Sequence, residues 1–253
     1  MTPATHSAAS LLLSLALVFI IFHGAKATVI TFTNNCPTTI WPGLLTGAGS
    51  PLSTTGFELA AQATAKVAIP PPFSGRFWAR TECYWNSTGQ FNCPTGDCGT
   101  GQVSCNGAGG NPPVSLVEFT LAADPTTGND FYDVSLVDGF NLPVSVAPSG
   151  GTGRNCTTSS CHGNVNAVCP AELAVKGADG SVIACMSACD AFHLPQYCCT
   201  GIYASPATCR PSTYSQIFKG QCPQAYSYAY DDTTSTFSCG GGANYAIVFC
   251  PSN

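Results

Sequence analysis

Short runs with apolar residues at every second position recur along most of the chain, the period of half-buried β-strands. Val29 to Thr33 reads Val-Ile-Thr-Phe-Thr and is followed by the turn signal Asn34-Asn35-Cys36-Pro37. Thr38 to Trp41, Phe57 to Leu59, Ala65 to Ile69 and Gly75 to Thr81 are further strand predictions, with Pro70-Pro71-Pro72 breaking the chain before the last. Val114 to Leu121 and Phe131 to Val137 flank the loop Asp124-Pro125-Thr126-Thr127-Gly128-Asn129, which predicts an antiparallel pair. Tyr245 to Cys250 reads as a core strand. Helical spacing is found at Val182, Ile183, Met186 and Cys189, so the main helix is expected over Ser181 to Phe192. No internal repeat interrupts this order.

One stretch departs from the pattern at the N-terminal end. Leu11 to Phe22 is an apolar run interrupted only by Ser14 and Ala16, short for a membrane span, and Ala25-Lys26-Ala27 supplies an A-x-A cleavage site. Residues 1–27 are therefore expected to be a signal peptide, with an N-terminal anchor as the competing reading because no Lys or Arg precedes the run. The mature chain would start at Thr28, hold about 226 residues and be secreted to the extracellular space.

All 16 cysteines lie beyond that segment, between Cys36 and Cys250. An even, high count behind a leader reads as eight disulfides in an oxidising compartment. Zinc is the rival reading, but only His162 and His193 remain and no pair of CxxC knuckles exists, so neither a metal nor a cofactor is expected. Many strands with cysteine-dense inserts predict a mainly β protein, a sandwich with two disulfide-held satellites. The division places the sandwich at residues 28–81, 114–162 and 223–253. A small loop domain occupies 82–113, and a cysteine-rich domain with the main helix occupies 163–222.

Charge narrows the function. Charged residues make up only 8% of the chain, and without Lys26 the balance is about −6. An acidic surface argues against nucleic acid and anionic membranes and leaves neutral, hydroxyl-rich ligands such as polysaccharides. Few ionisable residues exist, so their placement matters. Glu118 shares strand parity with Val114 and Leu116 on a face that otherwise looks apolar. A hairpin symmetric about its loop sets Glu118 directly across from Asp133, and opposed carboxylates repel unless a cation, a proton or a function accounts for them. A bend at Gly139 would bring Asp138 to the same place, and Arg76 and Arg80 are the nearby cations. A salt-bridge cluster that locks the sandwich explains the same charges.

The stretch from Gly89 to Cys105 contains Cys93-Pro94-Thr95-Gly96-Asp97-Cys98 followed by Cys105. Elsewhere the chain reads Gly75-Arg76-Phe77-Trp78-Ala79-Arg80-Thr81, Tyr132-Asp133-Val134-Ser135-Leu136-Val137-Asp138-Gly139-Phe140-Asn141 and Cys222-Pro223-Gln224-Ala225-Tyr226-Ser227-Tyr228. With these motifs the sequence resembles the thaumatin-like proteins, plant pathogenesis-related group five, in wording like the acidic fruit members of the apple and cherry allergen type. The resemblance spans essentially the whole mature chain and implies the thaumatin-like β-sandwich. It implies the pairs Cys36–Cys250, Cys83–Cys93, Cys98–Cys105, Cys156–Cys239, Cys161–Cys222, Cys169–Cys185, Cys189–Cys198 and Cys199–Cys209.

It further implies an acidic cleft between the sandwich and the cysteine-rich domain, formed by Arg76, Glu118, Asp133, Asp138 and Asp231. Such a cleft would receive β-1,3-glucan of the fungal wall in a monomeric, secreted antifungal defence protein. The same carboxylates would serve a weak endo-β-1,3-glucanase, with Glu118 as acid and Asp133 or Asp138 as nucleophile or base. Inhibition of fungal hydrolases through surface loops is the alternative that needs none of them. Phe77, Tyr132, Phe140, Tyr226 and Tyr228 are the aromatics available for sugar stacking or for plain packing. Asn86-Ser87-Thr88 is a glycosylation acceptor, and Asn155-Cys156-Thr157 a second one with a bridged cysteine at its centre. Asp97 reads as a turn-ordering residue rather than a catalyst.

Overall fold

A computed structural model of the chain describes residues 27–252, so all of the leader expected at 1–27 except Ala27 lies outside the described residues. In chain order the strands begin with β1 (Thr28–Asn34), β2 (Trp41–Gly49), β3 (Thr64–Ile69), β4 (Phe73–Arg80), β5 (Tyr84–Trp85), β6 (Phe91–Asn92) and β7 (Leu116–Leu121). They continue with β8 (Asn129–Ser135), β9 (Val144–Ser149), β10 (Ser159–Cys161), β11 (Ala174–Lys176), β12 (Val182–Cys185), β13 (Phe237–Gly240) and β14 (Asn244–Phe249). Two five-stranded sheets, in the orders β10-β9-β14-β1-β3 and β13-β8-β7-β4-β2, face each other. Their alternating residues meet in one core: Ile30 and Phe32 of β1 are buried, as are Phe77, Val117, Phe119, Tyr132 and Val134 of the opposite sheet. Phe77 sits edge-to-face with Phe32 across the layers at 5.6 Å, a favoured aromatic geometry.

The outer face of the second sheet is divided. Along β4 the outward positions are Ser74, Arg76, Trp78 and Arg80, by the period of two. The first two are partly open, whereas Trp78 and Arg80 are fully buried. The cover comes from the segment around the cysteine-rich signature, where Trp78 packs with Cys98, Cys105, Val114 and Leu116. Trp78 Nε1 donates to the Gly96 carbonyl at 2.8 Å, and the Asp97 carboxylate accepts from the Cys93 and Gly99 amides.

Arg80, set beside Arg76 in the sequence reading as a cation for the acidic residues, instead spends its guanidinium on backbone. It donates to the carbonyls of Trp41 at 3.0 Å and Val103 at 2.6 Å, with longer bonds to Pro42 and Gln102. Burial pulls it down to about 10, with Asp97 pulling the other way, so it stays charged at neutral pH. Replacing Arg80 by Met leaves four carbonyls short of a donor and is expected to destabilise the protein by about 2–5 kcal/mol in denaturant titrations.

The expected helix over Ser181 to Phe192 is not one element. Val182 to Cys185 form β12, paired with β11, and only α1 (Ala188–Phe192) is helical, capped by Ser187. Short α2 (Pro195–Cys198) follows. Among the described residues the longest helix is α3 (Thr213–Gln221), begun by a capping box between Ser212 and Ser215, and α4 (Asp232–Ser235) is a single turn. Disulfides join Cys36–Cys250, Cys83–Cys93, Cys98–Cys105, Cys156–Cys239, Cys161–Cys222, Cys169–Cys185, Cys189–Cys198 and Cys199–Cys209.

Candidate functional site

The open half of that outer face carries the acidic residues. In the register of three neighbouring strands, Arg76 of β4 pairs with Glu118 of β7, and Glu118 pairs with Asp133 of β8. One cation and two carboxylates thus form a row perpendicular to the strands. Paired neighbours hold their Cβ atoms about 4.5–5.5 Å apart. β8 ends at Ser135, and a tight turn closes with the Gly139 amide donating to the Leu136 carbonyl at 3.0 Å. Gly139 has φ 88°, and a Cβ there would strike Pro113 and the Cys185 carbonyl, so only glycine makes this bend. The turn brings Asp138 back to the row, where its Oδ2 lies 3.6 Å from Arg76 Nη1.

Two adjoining cavities flank the row and share Arg76, Glu118 and Asp133. One, of about 450 Å³, runs over the sheet and is lined also by Leu45, Ser74, Thr120 and Phe131. The other, of about 340 Å³, is lined also by Ser135, Asp138, Tyr226, Ala229 and Asp232. Its far wall is therefore the segment after Cys222, while Asp190 of α1 approaches Asp138 closely enough for the two carboxylates to repel.

Electrostatics set the two carboxylates apart. Burial raises Glu118, while Arg76 and the Ser135 hydroxyl lower it and Asp138 raises it further. Asp133 is pushed up to about 8, first by burial and then by Glu118 and Asp232. Its Oδ1 is buried without a hydrogen-bond partner. Both carboxyls are thus raised, Glu118, the acid expected from the sequence, and Asp133, the one pushed to about 8. Adjacent carboxyls with raised values are the groups that acid–base chemistry on glycosidic bonds draws on.

Asp231 sits apart from this row. Its Oδ2 is ion-paired with Lys219 Nζ at 2.8 Å and accepts from both the amide and the hydroxyl of Ser227. The next residue, Asp232, takes the place in the cavity wall. Of the aromatics read as stacking candidates, Phe77, Tyr132 and Phe140 are buried in the core. Phe131, not among those candidates, shares the parity of Asp133, is 48% exposed and lines the larger cavity. Among the described residues no cluster of metal-ligating side chains is present, and no helix is long and apolar enough to cross a membrane.

A family model described as the Thaumatin family matches residues 34–251. The chain is 60% identical over 242 residues to Thaumatin-like protein 1 of Pyrus pyrifolia, covering 95% of this chain and 98% of that one. It is 62% identical over 241 residues to Thaumatin-like protein 1a of Malus domestica, covering 95% and 97%. A protein of Prunus avium named Glucan endo-1,3-beta-glucosidase is 60% identical over 240 residues, covering 94% and 97%.

Proposed function

Because this chain belongs to the thaumatin family, we propose that the groove along Arg76, Glu118 and Asp133 binds β-1,3-glucan, in a secreted, monomeric defence protein that acts on the fungal wall. The observation that carries this reading is the cross-strand row itself. Arg76 offsets part of the repulsion between the two opposed carboxylates, but the buried Asp133 Oδ1 is left without a partner, a polar atom that a ligand hydroxyl would satisfy. A neutral glucan fits such a site. Its hydroxyls donate to carboxylates, and its ring faces stack on an exposed aromatic such as Phe131. On this reading the boundaries after 81, 113, 162 and 222 separate the sandwich that carries the site from the disulfide-held segments that frame it.

Slow hydrolysis is a second reading, favoured by the raised Asp133 and by the name of the Prunus avium relative. Asp133 would protonate the departing glycosidic oxygen. Glu118 would attack the anomeric carbon, and water would then release the sugar with Asp133 as base. The spacing of directly paired strand neighbours suits retention better than the roughly 6.5–9.5 Å of inverting enzymes. Equilibrium binding of laminarin together with a reducing-sugar assay tests both readings. Glu118→Gln is expected to keep binding within a few-fold and to lower any cleavage by about 100-fold or more. Wild-type protein that does not bind laminarin would remove the glucan reading altogether.

Asn86 is the proposed glycosylation site, with Asn155 as a second. Asn86 Oδ1 accepts from the Thr88 amide and hydroxyl and from the Gln90 amide, which leaves Nδ2, the atom that is modified, with one long 3.5 Å bond to Gln90. Glycan removal should lower the intact mass, and the Asn86→Gln variant should lose one glycan fewer than the wild type.

A further inference from the structure

We infer that the adjacent acids of the groove wall have separate duties: Asp232 is the carboxylate that faces bound sugar, and Asp231 is a positioning residue that, clamped by Lys219, holds the wall against the sheet. What Asp232 contacts rests on the glucan reading; the clamp rests on geometry.

The wall begins beside the end of β8, where Tyr226 bridges Ser135 in parallel. The Tyr226 amide donates to the Val134 carbonyl at 2.9 Å, and the Leu136 amide donates to the Tyr226 carbonyl at 2.8 Å. It returns to the sheet at β13, which pairs with β8. Between these anchors the chain is tied to α3. Lys219, in the last turn of that helix, donates to Asp231 Oδ2 at 2.8 Å, to the Ala225 carbonyl at 3.0 Å and to Ser235 Oγ at 2.9 Å. All three ammonium protons are used, and they reach both ends of the wall. The helix is itself fixed by buried Phe218 and by the Cys161–Cys222 disulfide just past its end.

Asp231 cannot serve ligand and clamp together. Its Oδ2 accepts from Lys219 and twice from Ser227, and its side chain is only 13% exposed. Turning it into the groove would strand a half-buried ammonium, a costly exchange. Asp232 is free to act there. It opens α4, is exposed, and is oriented by the Tyr226 hydroxyl, which donates to its Oδ1 at 2.9 Å and also contacts Thr236 Oγ1. Burial pushes Tyr226 up to about 12, so it remains a donor across the working range. Asp232 lines the smaller cavity together with Glu118 and Asp133.

Titration of Asp133, followed by carboxyl carbon NMR, gives a readout that needs no sugar. The groups facing Asp133 are Glu118 from β7, Arg76 from β4, Asp138 from the turn, and Tyr226 and Asp232 from the wall. Asp232→Asn removes one repelling charge and is expected to lower the Asp133 midpoint by on the order of 0.5–1 unit. It should also weaken laminarin binding about tenfold or more while leaving Tm unchanged. Lys219→Met and Asp231→Asn should each lower Tm by about 3–6 °C, and the double variant no further than the stronger single one. Their losses of laminarin affinity should be smaller and alike, and Asp231→Glu, which still reaches Lys219, should recover most of them.

The inference is overturned if Asp231→Asn weakens laminarin binding tenfold with Tm unchanged and without a matching effect of Lys219→Met. It is equally overturned if Asp232→Asn leaves the Asp133 midpoint and the affinity at their wild-type values. If wild-type protein does not bind laminarin, the glucan reading fails, while the Tm cycle and the Asp133 midpoint still decide the division between the two acids.

Discussion

Between pH 5 and pH 8 the wild-type protein is expected to lose about 3–4 kcal/mol of stability through Asp133, and Asp133→Asn is expected to keep most of it. The sign follows from the direction of the shift. Asp133 is raised to about 8 in the folded chain, from an ordinary carboxylate value near 3.8. The native state therefore holds a proton that the unfolded state has given up, and stability falls as pH rises through that interval. Its contribution is fully present below about pH 4 and gone above about pH 8. Glu118 and Asp190 are raised too and slope the same way, so the difference between wild type and Asp133→Asn isolates the Asp133 share. Denaturant midpoints across this range check it, and parallel curves for the two proteins would contradict the buried, protonated Asp133.

Replacing Cys36 and Cys250 together by Ala is expected to destabilise the protein by about 4–5 kcal/mol. Cys36 follows β1 and Cys250 follows β14, and these strands are parallel neighbours in the centre of the first sheet. The bridge closes a loop with a sequence separation of 214, which in the chain-entropy account restricts the unfolded chain more than any other disulfide here. Strand pairing remains in its absence, so the variant should fold with a reduced denaturant midpoint. An unchanged midpoint would show that neighbouring contacts already hold the unfolded ends together.

The sheet carrying the site was legible because one rule, the period of two, governs both hydrophobic pattern and side-chain direction. It placed Glu118 opposite Asp133 from the loop between them, and the register agrees. The same rule could not separate Arg76 from Arg80, which share a face. What separates them is the covering segment around Gly96 and Val103, a long-range contact with no periodic trace. Helical spacing misled at Val182 and Ile183, where two β-branched residues extend a strand instead. Tyr214, Ile217 and Phe218, at helical spacing after Ser212, are the sequence trace of α3. The resemblance singled out Asp231, but side-chain partners, which adjacent residues do not share, decide that Asp232 faces the cavity.

Titration of isotope-labelled protein with a laminari-oligosaccharide, followed by amide NMR, tests the central claim most directly. The largest shifts are expected within 74–76, 118–120, 131–138 and 226–232, the segments that contribute lining residues to the two cavities, with Glu118→Gln altering the pattern there. Shifts concentrated instead in the loop at 83–105, or no saturable shifts at all, would contradict it.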